Sequence, residues 1–275
     1  MGESHPIAAQ IGANQPGSHM PTPFSHMRAA INLLDDSDLP ANIRDALIAE
    51  YPAYVLGSVA PDARVDAPDP RAATHFYAYQ RPIERHPWLI MLDEYPQLTP
   101  PKSDAHRAFL AGYVAHLAMD EAWTLYMLEP HFAGGDWGGN IKYRFFVLHL
   151  LLTDMDIRDL AALPASIHTA LQQAEPDDWL PFIPQAILTD WRELIYEQIK
   201  PDGASQTMAI FGKRISRSAD EINRLVHDEA WMQRELWQHV PREALADIEA
   251  QMARHAHHAL VRYMREYSGL VDVSR

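Results

Sequence analysis

The strongest constraint on this chain is helical periodicity. Between Ser103 and Met127, the residues Phe109, Tyr113, His116, Leu117 and Asp120 recur at steps of three and four. That spacing puts side chains on one face of an α-helix. Ser103-Asp104 supplies an N-cap signal, so a helix is expected over 103–127. The same reasoning predicts helices over 23–35, 41–51 (stopped by Pro52), 140–159, 164–174, 182–199 and 205–239 with a break. A last one runs over 242–267, starting after Pro241 and ending near Gly269. Neither sustained strand alternation nor an internal repeat competes with this pattern. The expected fold class is all-α, a single multi-helix domain over residues 20–275. Gly17-Ser18-His19-Met20 reads as a cloning scar, and the residues before it lack apolar periodicity. Residues 1–19 are therefore set aside as an added or disordered leader.

Between the early helices and the one beginning at 103, the pattern breaks. Pro61, Pro68, Pro70, Pro82, Pro87, Pro96, Pro100 and Pro101 punctuate residues 60–103. Proline lacks the amide donor a helix interior needs, so this span is expected to be loop with short helical pieces. Loops of that length carry function or form lids. A Gly-rich turn is expected at Gly134-Gly-Asp-Trp-Gly-Gly139, with no following Lys-Ser/Thr to make it a phosphate loop.

Composition narrows the chemistry. The chain has no cysteine, which excludes disulfides and thiolate ligands. Any metal must be held by His, carboxylates or water, and there are 15 His. A formal net charge of −14 disfavours a nucleic-acid partner, since phosphate backbones select basic surfaces. The most apolar run, 145–152, is far shorter than the roughly 20 residues of a membrane span. No basic cluster leads an apolar stretch after Met20, so the expected location is cytoplasmic.

Within the expected helix over 103–127, His116 and Asp120 stand at i and i+4, one turn apart on one face, where both can reach one ion. Ala111, Ala115, Leu117 and Ala118 surround them with apolar neighbours. A carboxylate buried there needs a strong partner. Further donors come from Pro23-Phe-Ser-His26, Gly57-Ser-Val-Ala-Pro-Asp62 and Arg71-Ala-Ala-Thr-His75-Phe. Downstream, His149 is followed by Thr153, Asp154 and Asp156.

Taken in this order, these motifs resemble the zinc-dependent phospholipase C family, whose helical fold is shared with the fungal single-strand-specific zinc nucleases. The likeness covers residues 20–160, with Pro21-Thr-Pro-Phe-Ser-His26 and Ala111-Gly-Tyr-Val-Ala-His-Leu-Ala-Met-Asp-Glu121 fitting best. It implies a zinc cluster of up to three ions. Asp62, His75, His116 and Asp120 would form one site, with Asp120 bridging to the ion of His26; His149 would serve a third. Three departures mark this chain. A leader precedes His26 where secreted members use the terminal amine. After Asp120 the next His is His131, later than the family's. Thr153 replaces the acid one turn after His149, leaving Asp154 or Asp156 to substitute.

The resemblance implies a phosphoesterase acting on a phospholipid or small phosphodiester through a metal-activated hydroxide, with Asp62 orienting or deprotonating the water. Arg64, Arg71 and Arg81 are candidates for phosphate oxygens but read more simply as surface charge. The alternatives are a single-strand nuclease and a non-catalytic helical binding domain stapled by structural zinc. His255, His257 and His258 read as a solvated patch, His227-Asp228 as a chance dipeptide, and the seven Trp as core anchors. No Gly-x-Ser-x-Gly elbow supports a serine hydrolase.

Overall fold

The computed structural model describes residues 19–63, 65, 69–78 and 82–270. Among them are 13 α-helices and no strand. Residues 1–18, Arg64 and Arg81 lie outside the described residues. The first helix, α1 (Pro23–Asp35), and the second, α2 (Ala41–Ala49), fall where periodicity puts them. The next is a departure. Pro52 does not stop a helix but sits in the first turn of α3 (Tyr51–Val59). The missing proline amide costs nothing there, because first-turn amides have no partner within the helix. A 3-10 turn over Ala60–Asp62 follows, then α4 (Pro70–His75) and α5 (Pro87–Glu94) as the short pieces expected in the proline-rich span.

The central helix is α6 (Asp104–Trp123), capped by the Ser103 hydroxyl, which accepts from the His106 amide. Every residue from Ala108 to Thr124 is buried. A helix apolar on all sides must be enclosed by others, and here α3 packs on one side and α13 (Arg242–Glu266) on another. A π-helical stretch over Thr124–Ala133 continues it, and α7 (Ile141–Ala161) returns after an Asn140 cap. The remaining helices are α8 (Ala165–Gln173), α9 (Gln185–Ile199), α10 (Thr207–Ile215), α11 (Ala219–Val226) and α12 (Glu229–Met232). The expected break in 205–239 falls at residues 216–218 and again at 227–228.

Two glycines set the closest helix crossing. A Cβ on Gly57 of α3 would lie 2.0 Å from the Phe109 carbonyl oxygen, and one on Gly112 of α6 would lie 2.3 Å from the Tyr54 carbonyl oxygen. The two backbones therefore touch, which side chains at these positions would prevent. Buried polar contacts fix the other helices. Ser25 Oγ donates to Asp159 Oδ2 at 2.6 Å, tying α1 to α7. Tyr54 hydroxyl donates to the Ala30 carbonyl, and Trp191 Nε1 of α9 donates to the Val59 carbonyl at 2.8 Å. His19, set aside with the leader in the sequence reading, is buried. Its ring stacks on Phe145 with centroids 4.4 Å apart, and its carbonyl accepts from Trp123 Nε1. No described helix is long and apolar enough to cross a membrane.

Candidate metal centre

Five side chains from four separate stretches of sequence converge beside the α3–α6 crossing. His116 and Asp120 come from α6 one turn apart, as their spacing requires. His26 comes from the first turn of α1. Asp62 ends the 3-10 turn after α3, and His75 is the last residue of α4, where Phe76 turns the chain with a left-handed φ of 62°. Their ligand atoms form two overlapping groups: those of His26, Asp62 and His116, and those of His75, His116 and Asp120. Within each group the atoms lie within 4.8 Å of one another, so each can hold a metal ion.

The three imidazoles crowd one carboxylate. His26 Nε2 lies 3.3 Å from Asp120 Oδ1, while His75 Nε2 and His116 Nε2 lie 3.3 and 3.6 Å from Oδ2. Close as they are, none of these contacts is aligned as a hydrogen bond. Among the described residues, the Nε2 atoms of all three His, and Asp120 Oδ1, are buried without a hydrogen-bond partner. Leaving four polar atoms desolvated in this way is costly. It is the arrangement expected of donors whose shared partner is a cation. His26 and His116 also stack nearly parallel, with ring centroids 3.6 Å apart and planes at 14°.

The second ring of contacts orients these donors. His116 Nδ1 meets the Ser58 carbonyl at 2.8 Å, which assigns the proton to Nδ1 and leaves the Nε2 lone pair facing the cluster. His75 Nδ1 pairs with the Thr74 hydroxyl at 2.9 Å, and Tyr113 hydroxyl donates to the Thr74 carbonyl at 2.6 Å. The glycine crossing matters here, because only backbone contact between α3 and α6 brings Ser58 to His116.

Electrostatics favour the ligand-competent forms. Burial, reinforced by the neighbouring His116, pushes the His26 imidazole below its ordinary value. Burial opposes ionisation of Asp120, yet His116 and Arg71 outweigh it and hold the carboxyl well below the usual range. Asp62 behaves alike: burial raises it, but His75 and His116 bring it down. At neutral pH the cluster therefore presents two carboxylates and a neutral His26.

Of the residues singled out from sequence, His26, Asp62, His75, His116 and Asp120 meet here. His149 belongs to neither group. It is buried on α7 with Nδ1 against the Phe145 carbonyl at 2.7 Å and its ring edge-on to His19 and Phe211. Thr153 uses its hydroxyl on the His149 carbonyl, Asp154 is half-buried, and His131 lies half-buried in the π-helical stretch. None of these three is in either group. Asp156 is buried, accepts from Ser205 Oγ at 3.1 Å, and is raised by burial to about 6.

Arg71, which reads as surface charge in the sequence, is part of the cluster. Its guanidinium donates to Asp120 Oδ2 at 2.7 Å and to the Tyr77 hydroxyl at 2.5 Å, with 13% of the side chain exposed. One signal pointed to it: Arg71 precedes His75 by four residues on the same short helix, so both share a face. Comparison with protein-family models, with curated proteins and with solved structures finds no match for this chain.

Proposed function

We propose that this protein is a zinc-dependent phosphoesterase whose centre is built by His26, Asp62, His75, His116 and Asp120. The carrying observation is the set of buried Nε2 atoms and the Asp120 oxygen that converge without hydrogen-bond partners. Three imidazoles and two carboxylates, with no thiolate available, are a donor set suited to zinc. A zinc ion bound there would supply Lewis acidity, lowering the pKa of a water and neutralising charge on a phosphoryl group.

The protein's own residues supply the rest. Asp62 is the member of the set most open to solvent, with 14% of its side chain exposed against 0–3% for the others. That exposure supports the reading in which Asp62 orients an attacking water and takes its proton. Arg71 offers a planar guanidinium suited to phosphate oxygens, held in position by Asp120 and Tyr77. The apolar enclosure keeps bulk water away, so these charges act at low dielectric.

The test is elemental analysis of purified protein after zinc reloading, followed by a phosphodiester panel with and without chelator. The reading expects at least one zinc per chain and hydrolysis that chelator abolishes and zinc restores. Well under one ion per chain would refute the centre. Stoichiometric zinc with no chelator-sensitive turnover would leave a structural staple and refute the enzyme.

A further inference from the structure

We propose that the centre acts on phosphoesters carrying a small, neutral, apolar group, which seats in a pocket beside Asp62. This rests on the zinc reading above and adds the substrate class. The starting point is access. Asp62 is the most exposed of the five donors, and it lines a cavity of about 140 Å³. Its walls are Phe24 from α1, Trp191, Leu194 and Ile195 from α9, and Ile210 and Phe211 from α10.

The lining dictates what fits. Among the described residues, no Lys, Arg or His side chain lines the pocket. Gln198, one of the few polar side chains at the wall, has its amide committed to the Gln206 amide and the Leu194 carbonyl. Trp191 likewise spends its indole donor on Val59. Most of the lining residues carry apolar side chains, with Thr22 and Thr207 as the polar ones besides Asp62 and Gln198. An apolar cavity of about 150 Å³ holds a benzene ring, so this pocket takes one ring or a short branched alkyl group. Both α9 and α10 lie beyond residue 160, in the part of the chain where the sequence carries no recognisable motif.

Isothermal titration of the zinc-loaded protein with phenylphosphonate, methylphosphonate and phosphocholine tests this. Each presents a phosphoryl group to the centre, and only the first adds a neutral ring. Phenylphosphonate should bind at least tenfold more tightly than either of the others, since desolvating a ring is the added gain. Ile210→Trp or Leu194→Trp, each starting from a half-buried position at the rim, should bring the phenyl-to-methyl ratio close to one. Two variants are used so that misfolding of one, checked by circular dichroism, does not void the test. Equal binding of phenyl- and methylphosphonate, or tighter binding of phosphocholine, overturns the pocket assignment and leaves the zinc reading standing. Phenylphosphonate binding that survives zinc removal undiminished, with no methylphosphonate binding, supports the pocket and overturns the zinc reading. Failure of all three to bind overturns the pocket assignment, while the zinc count of the same sample decides the centre separately.

Discussion

Replacing Gly112 with alanine probes the link between fold and centre most directly. The added methyl would sit 2.3 Å from the Tyr54 carbonyl oxygen and 2.7 Å from the Ser58 amide nitrogen. Both are backbone atoms of α3, so no side chain can swing aside to relieve the clash. Ordinary contact begins at 3.4 Å, so the helices must part by about 1.1 Å. Overpacking of this kind costs about 1–3 kcal/mol, and a clash against rigid backbone lies at or above the upper end. Alanine recovers about 1 kcal/mol of helix propensity, leaving a net loss of about 2 kcal/mol. For a domain of this size that lowers Tm by about 4–8 °C. The same displacement stretches the 2.8 Å contact between His116 Nδ1 and the Ser58 carbonyl beyond hydrogen-bonding range. Losing such an orienting partner weakens metal binding about 10–100-fold. Thermal unfolding and zinc competition against a chelating indicator measure the two effects. Ser58→Ala is the control, because the acceptor is backbone and the Ser58 hydroxyl bonds to Val55 instead. If Gly112→Ala keeps both the wild-type Tm and the wild-type zinc affinity, the reasoning about the crossing is wrong.

Four further outcomes are expected. His116→Ala and Asp120→Ala should each drop zinc to well under one ion per chain by elemental analysis, while exposed His227→Ala should not. Arg71→Met should retain zinc yet reduce phosphodiester turnover at least tenfold, whereas equal loss of metal would assign Arg71 to the fold rather than to the phosphate. His106, stacked on Trp179, is lowered to about 4, first by burial and then by Lys102. Its folded pKa lies below its unfolded value of 6.5, so stability is lost as pH falls from 6.5 towards 4; His106→Leu should flatten that stretch of a urea-unfolding series. Asp156, raised to about 6, has the opposite sign: its cost grows as pH rises from about 4 to 6. Asp156→Asn should therefore be more stable than wild type at pH 7 and match it near pH 4.

Much of the helical framework is legible along the chain because helix formation is a local matter. The boundaries of α1, α7 and α13 follow from capping residues and apolar spacing, and the His116–Asp120 pair follows from one turn of one helix. Where a residue's meaning depends on its own element, as for Pro52, position within the turn decides it: read as a stop, it proved to be a start. The five donors were also legible as motifs, but only as an ordered list.

From the sequence alone come the all-α class and the residue types of the candidate donors, since both depend on residue type and short spacing. Tertiary structure alone decided that His26, Asp62 and His75 meet the α6 pair, that His149 does not join them, and that Arg71 does. These outcomes depend on distances across up to 94 positions of sequence, from His26 to Asp120. The physical reason lies in the packing. Two glycines let α3 and α6 touch, and that contact brings the Ser58 carbonyl against His116 and aims its imidazole at the cluster.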